Sequence, residues 1–267
     1  MMVSQPSAKH ELSAPSAGAQ GLDRAEQLDL FGLSLLNAPQ DHAIALMLTK
    51  GRRRVAFVNA HCVNVAAKDP AYRQALETAD VLLPDGAGIE LAARLHGQRM
   101  VANLNGTDLC PALLAEAAAR GKSVFLLGAK PGVAAAAAAR LTDLIPSLRI
   151  AGTRDGFAGA KPEGAIAAVS ASRADILLVA MGVPKQDIWL HRAHDSLHPD
   201  LVLGVGALFD FLAGTVPRAP VWMRRARLEW LWRLAIEPRR MFGRYVIGNV
   251  VFVMRALCAR AFRKGQA

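Results

Sequence analysis

Short runs of consecutive apolar residues recur through the middle of the chain, at Val55–Asn59, Val81–Leu83, Ser123–Leu127, Leu148–Ala151, Ile176–Ala180 and Leu201–Gly204. Runs this short, with no polar alternation, fit strands buried on both faces. Alanine-rich helical stretches separate most of them, notably 107–120, 131–144, 162–172 and 184–196. The alternation predicts an α/β fold with a mainly parallel, Rossmann-like sheet flanked by helices. Ahead of it, LDLFGLSLL and HAIALMLT surround the turn-like Asn37-Ala38-Pro39, which predicts a strand pair and then a helix.

After residue 217 the strand pattern stops. Leu228, Leu231, Trp232 and Ala235 share one face of a helix, and Glu229 stands four residues before Arg233 as a favourable pair. Pro238 bends or ends that helix, and a second amphipathic helix follows. Its most apolar part, Tyr245–Cys258, is interrupted by Asn249 and Arg255. It falls short of the ~20 apolar residues of a spanning helix. The segment is therefore expected to lie on a membrane and not to cross it. The organisation reads as a disordered lead at 1–22, an α/β core at 23–217 and a basic amphipathic helical appendage at 218–267. All six strand runs precede residue 215, so a chain cut after Gly214 is expected to keep the body folded.

Charge sharpens this division. The chain of 267 residues carries a net +10, yet residues 1–217 hold 20 basic and 20 acidic side chains. The tail holds 12 basic and 2 acidic residues and three of the four tryptophans. Cations interleaved with aromatic and aliphatic residues suit an anionic phospholipid surface. A nucleic-acid-binding tail would not need so many aliphatic residues, so no nucleic-acid partner is expected. Three cysteines without CxxC spacing give neither a disulfide framework nor a zinc site, and fit a reducing cytoplasm. The first twenty residues lack an apolar h-region and do not read as a signal peptide.

Each strand run ends in small or polar residues: Asn59-Ala60-His61, Pro84-Asp85-Gly86, Gly128-Ala129-Lys130, Arg154-Asp155-Gly156, Gly182-Val183-Pro184-Lys185-Gln186 and Gly204-Val205-Gly206. Ligands of open α/β sheets bind beyond the strand carboxyl ends, so these clusters converge on one rim. Glycines there, Gly128 and Gly206 among them, let backbone approach a ligand, and helix N-termini offer N–H groups to phosphate. Neither G-x-G-x-x-G nor G-x-x-x-x-G-K-[ST] is present, nor a D-x-D pair that would hold a divalent ion. His191, His194 and His198 read as a solvated face. A carboxylate such as Asp85, in a strand-end turn, suits removal of a proton from a poorly acidic hydroxyl.

The strings VNAHCVNVA, ADVLLPDGAGIELAARLHG, NGTDL, ILLVAMGVPKQDIWL, GVGALFDFLAG and RAPVWMRRARLEWLWRLAIEPRR occur in this order. Together they resemble the motifs of the WecG/TagA/CpsF family of bacterial glycosyltransferases, over about residues 25–250. The resemblance implies an inverting transfer of a sugar, of the N-acetylmannosamine, glucose or uronic acid class, from a UDP donor. The implied acceptor is a polyprenyl-diphosphate-linked saccharide used in cell-surface polysaccharide synthesis. It implies a peripheral protein on the cytoplasmic face of the inner membrane, with no metal or other cofactor; homo-oligomerisation stays open. By the same resemblance Asp85 matches the candidate general base, and Asn59 and Gln186 match donor-site residues. Arg233, Arg239 and Arg240 match tail arginines that fold over the nucleotide. Asn103 stands where the family often has Arg, and Phe57 where it often has Thr; with Asp108, Asn103 marks a candidate sugar or acceptor pocket. Two rivals remain from the residues alone. An NAD-dependent nucleotide-sugar enzyme would need a glycine fingerprint, and a basic membrane adaptor would leave Asp85, Asn59 and Gln186 without a purpose.

Overall fold

The computed structural model describes residues 27–156 and 162–264; the expected N-terminal lead lies outside them. An antiparallel hairpin of β1 (Gln27–Leu30) and β2 (Leu33–Leu36) opens the fold, followed by α1 (Gln40–Met47). The sheet consists of β3 (Arg53–Val58), β4 (Val81–Pro84), β5 (Ser123–Gly128), β6 (Arg149–Arg154), β7 (Ile176–Ala180) and β8 (Leu201–Gly204). All its pairings are parallel, in the order β4-β3-β8-β7-β5-β6. Each strand falls within a few residues of a run read from the sequence. Between them lie α2 (Ala60–Ala66), α3 (Pro70–Glu77), α4 (Gly86–Leu95), α5 (Gly106–Ala119), α6 (Val133–Leu144), α7 (Pro162–Ser172), α8 (Lys185–Ala193) and α9 (Leu208–Leu212).

Strand side chains alternate between two apolar layers, as the pleat requires. Val55, Leu83, Leu126, Leu178 and Leu203 pack with α1, α5, α6 and α9. On the opposite face Ala56, Val58 and Leu82 pack with the hairpin, α2 and α4, while Phe125, Leu177 and Val179 pack with α7 and α8. The helices after β3 and β8 therefore leave neighbouring strands toward opposite faces. That divergence opens a crevice at the carboxyl ends of β3 and β8.

The tail continues as α10 (Val221–Arg225), α11 (Glu229–Ile236), α12 (Pro238–Met241), a π turn over Phe242–Ile247, and α13 (Gly248–Lys264). Three expectations change here. First, α11 does not bury its apolar face: Arg233 is its buried residue, while Leu231, Ala235 and Ile236 are exposed. Second, Arg233 pairs with Glu237 at 3.3 Å instead of Glu229, because Glu229 faces Arg218 at 4.0 Å. Third, Pro238–Ala261 forms a 24-residue helical run that by length and composition could cross a membrane. Pro238 sits at the first position of α12, where its missing N–H costs nothing; α11 ends just before it at Ile236, as expected of a proline there.

One side of α13 is built into the body. Phe252 and Ala256 are fully buried in the layer with α2 and α4. Asn64 Nδ2 donates to the Gly248 carbonyl at 2.7 Å, and His96 Nε2 lies 3.2 Å from the Ala256 carbonyl. A cut after Gly214 would open this core, so the body is not expected to survive it unchanged. The other side carries Phe242, Val246, Ile247, Val250, Met254 and Leu257, all exposed.

Candidate active site at the strand carboxyl ends

Asn59 follows β3 and caps α2: its Oδ1 accepts from the N–H groups of His61 and Cys62 at 3.1 and 3.2 Å. Its amide nitrogen is then free to reach toward the end of the neighbouring β4, where it donates to Asp85 Oδ2 at 3.1 Å beside the crevice. Asp85 occupies the N-cap position of α4 but makes no side-chain capping bond. Its carboxylate is thus spared from local structure and held by one neutral donor. Burial raises its pKa above the usual carboxylate range and nearby Asp108 adds to this, while the Asn59 bond and the charge of Arg244 oppose it. A carboxylate kept partly from water, its basicity raised by burial, is a suitable proton acceptor.

Several backbone donors of the rim are bonded within the protein. Gly86 N–H donates to Asn103 Oδ1 at 2.7 Å, Asp108 N–H to Asn105 Oδ1 at 3.0 Å, and Asp85 N–H to the Val58 carbonyl at 2.9 Å. The N–H groups of Gly182 and Gly206 both donate to Gln186 Oε1, at 3.1 and 3.0 Å. At Gly86, Asp108, Gly182 and Gly206 the N–H groups are taken by Asn and Gln side chains and are not open to phosphate. Glycine has two separate uses here. At Gly128, with φ of 123°, an added Cβ would lie 2.5 Å from the Ala180 carbonyl oxygen, so close strand packing requires it. At Gly206, with φ of 56°, nothing lies within 4 Å of such a Cβ, and the turn faces open space.

Cations come from the tail. Arg218 Nη2 donates to Asp108 Oδ1 at 2.5 Å, and Arg224 Nη1 lies 3.9 Å from the same oxygen. Burial alone would raise the Asp108 pKa, but the Asn105 bond and Arg218 hold it below the usual range. Arg227 forms an ion pair with Glu90 of α4. Arg233 is drawn inward, its guanidinium 5.0 Å from the Phe211 ring centre, a cation–π contact. Arg239 is exposed, and Arg240 pairs with Glu237 at 2.7 Å.

Two charged residues that sequence reasoning did not assign to the site belong to this electrostatic environment. Arg244, in the π turn, is close enough to lower the pKa of Asp85 and that of His61, which burial first and Arg244 second bring down to about 4. Its Nε is buried and has no hydrogen-bond partner among the described residues. Glu229, at the start of α11, is half-buried; burial raises its pKa and the charges of Asp108 and Asp85 add to that, while Arg218 opposes it. Helical periodicity carries no signal for either. A π turn rotates everything after it, and the Glu229 contacts span over a hundred residues of chain. Among the described residues no group of three or more His, Cys, Asp or Glu side chains is placed to hold a metal ion.

A family model described as "Glycosyl transferase WecG/TagA/CpsF family" matches residues 28–266. The N-acetylglucosaminyldiphosphoundecaprenol N-acetyl-beta-D-mannosaminyltransferase of Bacillus subtilis (strain 168) is 33% identical over 188 residues, 70% of this chain and 72% of that protein. The protein of the same name from Bacillus spizizenii (strain ATCC 23059 / NRRL B-14472 / W23) is 35% identical over 175 residues, 66% and 68% of the two chains.

Proposed function

The chain belongs to the WecG/TagA/CpsF glycosyltransferase family, and from this premise we propose that it moves an N-acetylmannosamine-class sugar from a UDP donor to a polyprenyl-diphosphate-linked N-acetylglucosamine. The donor and acceptor follow the named activity of the two Bacillus relatives. The observation that carries the reading is the Asp85 carboxylate, held by Asn59 at the crevice and uncommitted to its own helix.

In the proposed reaction Asp85 removes the proton of an acceptor hydroxyl as its oxygen attacks the anomeric carbon. The bond from that carbon to the diphosphate oxygen breaks on the opposite side, and its electron pair leaves with UDP. Configuration inverts. The departing diphosphate needs positive partners, and the N–H groups of Gly86, Gly182 and Gly206 are already bonded within the protein. Arg244, whose charge acts on Asp85 and whose Nε has no partner among the described residues, and Arg218 and Arg224, now on Asp108, are the candidate cations. No metal is needed in this scheme. The exposed stripe of α13, flanked by arginines, supports a peripheral position on the anionic cytoplasmic face of the inner membrane. Since Phe252 and Ala256 anchor the opposite side of α13, the helix can touch lipid without leaving the body.

The test supplies purified enzyme with lipid-linked N-acetylglucosamine diphosphate and a panel of UDP-sugars, and measures UDP release and the disaccharide lipid. UDP release only with the N-acetylmannosamine donor, matched by product, is expected. Transfer from another UDP-sugar corrects the donor, and no UDP release from any overturns the reading.

A further inference from the structure

We infer that Gln186 and Asp187 are positioning residues of this site: a buried amide–carboxyl pair fixes the turns at Gly182 and Gly206 and so sets the floor on which the donor lies. The inference rests on the transferase reading above and deepens it. The last bond joining the two strand ends runs from Val205 N–H to the Val179 carbonyl at 2.8 Å. Beyond it β7 and β8 part toward opposite faces of the sheet. Gln186 Oε1 spans the gap by accepting from both glycine N–H groups. Both glycines have positive φ, 78° and 56°, and both leave open space where a side chain would project.

Gln186 and Asp187 are 4% and 3% exposed, so neither reaches a ligand directly. Gln186 also hydrogen-bonds the Asp187 carboxyl, which fixes the sense of its amide: oxygen toward the turns, nitrogen toward the acid. Independent support comes from β8. A Cβ on Gly204 would lie 2.7 Å from Asp187 Oδ1 and 2.8 Å from Gln186 Nε2, so the strand ends in glycine where the pair is seated. Arg54 of β3, Cys62 of α2 and Tyr72 of α3 are the other charged or titratable groups around Asp187. Burial pushes the Asp187 pKa up to about 7 against the pull of Arg54 and Gln186.

The test exchanges the two chemistries in the full chain. Gln186→Glu keeps an acceptor for both glycines but sets two carboxyl groups face to face, which is tolerable only while one holds a proton. Its donor KM should match the parent near pH 6 and rise at least tenfold by pH 8.5, with kcat changed less. Adding Asp187→Asn restores an amide donor opposite the carboxylate and should return KM to within about threefold at both pH values. Amide hydrogen exchange at Gly182 and Gly206 is read alongside. Protection should fall in Gln186→Ala and return in the double variant. This second readout needs no substrate, so it stands even if the parent proves inactive on every donor and the transferase reading fails. Unchanged glycine protection in Gln186→Ala, or a double variant no better than Gln186→Glu alone, overturns the inference.

Discussion

The sheet and the tail use the same residue types in opposite senses. In the sheet the strands inside the edge strand β6 are mostly apolar, and the guanidinium buried there, Arg54 near the start of β3, donates to the Ala75 carbonyl and the Thr78 hydroxyl. In the tail Arg233 is buried while Trp222, Phe242, Ile247, Val250 and Met254 stand exposed. Burying a guanidinium while exposing large apolar side chains is unfavourable in water, and rational when the outer neighbour is apolar and the inner one anionic. α13 makes the contrast within one helix: Phe252 belongs to the body, Val250 and Met254 to what lies outside.

Phe252→Ala should be the most damaging single change, because it empties a filled core site. The expected loss is about 3–5 kcal/mol, read from denaturant unfolding. A loss below about 1 kcal/mol would mean that α13 is an attachment and not part of the core. Asp85→Asn should lower kcat by at least ~100-fold while UDP binding persists, since the shape stays and the basicity goes. Near-parental turnover would move the base elsewhere, with Glu229 the next carboxylate to replace.

Val250→Ser combined with Met254→Ser should leave unfolding within about 0.5 kcal/mol, as expected for exposed positions. Flotation with anionic vesicles should fall severalfold, because each removed apolar side chain contributes about 1.5–3 kcal/mol when fully inserted. Equal flotation would break the assignment of the outer stripe to lipid. A gentler probe is pH. The Asp187 pKa is raised, so its contribution to stability is present below about pH 4, the value of an unfolded aspartate, and is lost as pH rises toward 7. Asp187→Asn should remove that slope, measured as the difference in Tm between variant and parent from pH 4 to 8. The smallest expected effect is that of EDTA on turnover, which should be none; rescue of a chelated enzyme by magnesium or manganese would refute the metal-free scheme.

The body is legible in the sequence because a short, unbroken apolar run between two helices fits little except a strand covered on both faces. The rule that sites gather at strand carboxyl ends then brings Asn59 and Asp85 together across 26 residues. The pattern does not delimit α2, α3 and α4, which are short and mixed in composition. The tail is legible in charge but not in orientation. An amphipathic pattern tells which residues share a face, and says nothing about whether that face meets protein or lipid. Hence periodicity alone turns Leu231 inward and makes Arg233 one half of a surface pair, the reverse of their places in the fold. That Asn103 and Gln186 take the N–H groups of Gly86, Gly182 and Gly206 is equally hidden, since both could as well have faced a ligand.

The π turn at Phe242–Ile247 makes chain length itself a variable here. Each residue of an α-helix turns the chain by about 100°. A π turn spends one residue more than an α turn, so rewinding these six positions as α-helix at full length would swing everything beyond them by about that angle. Phe252 would leave its pocket and the outer stripe would turn toward the side of the body, although no contact residue had changed identity. Deleting one residue, Gly243 for instance, should instead let the turn rewind as α-helix with Phe252 still facing its pocket, whereas a residue added there should turn it away.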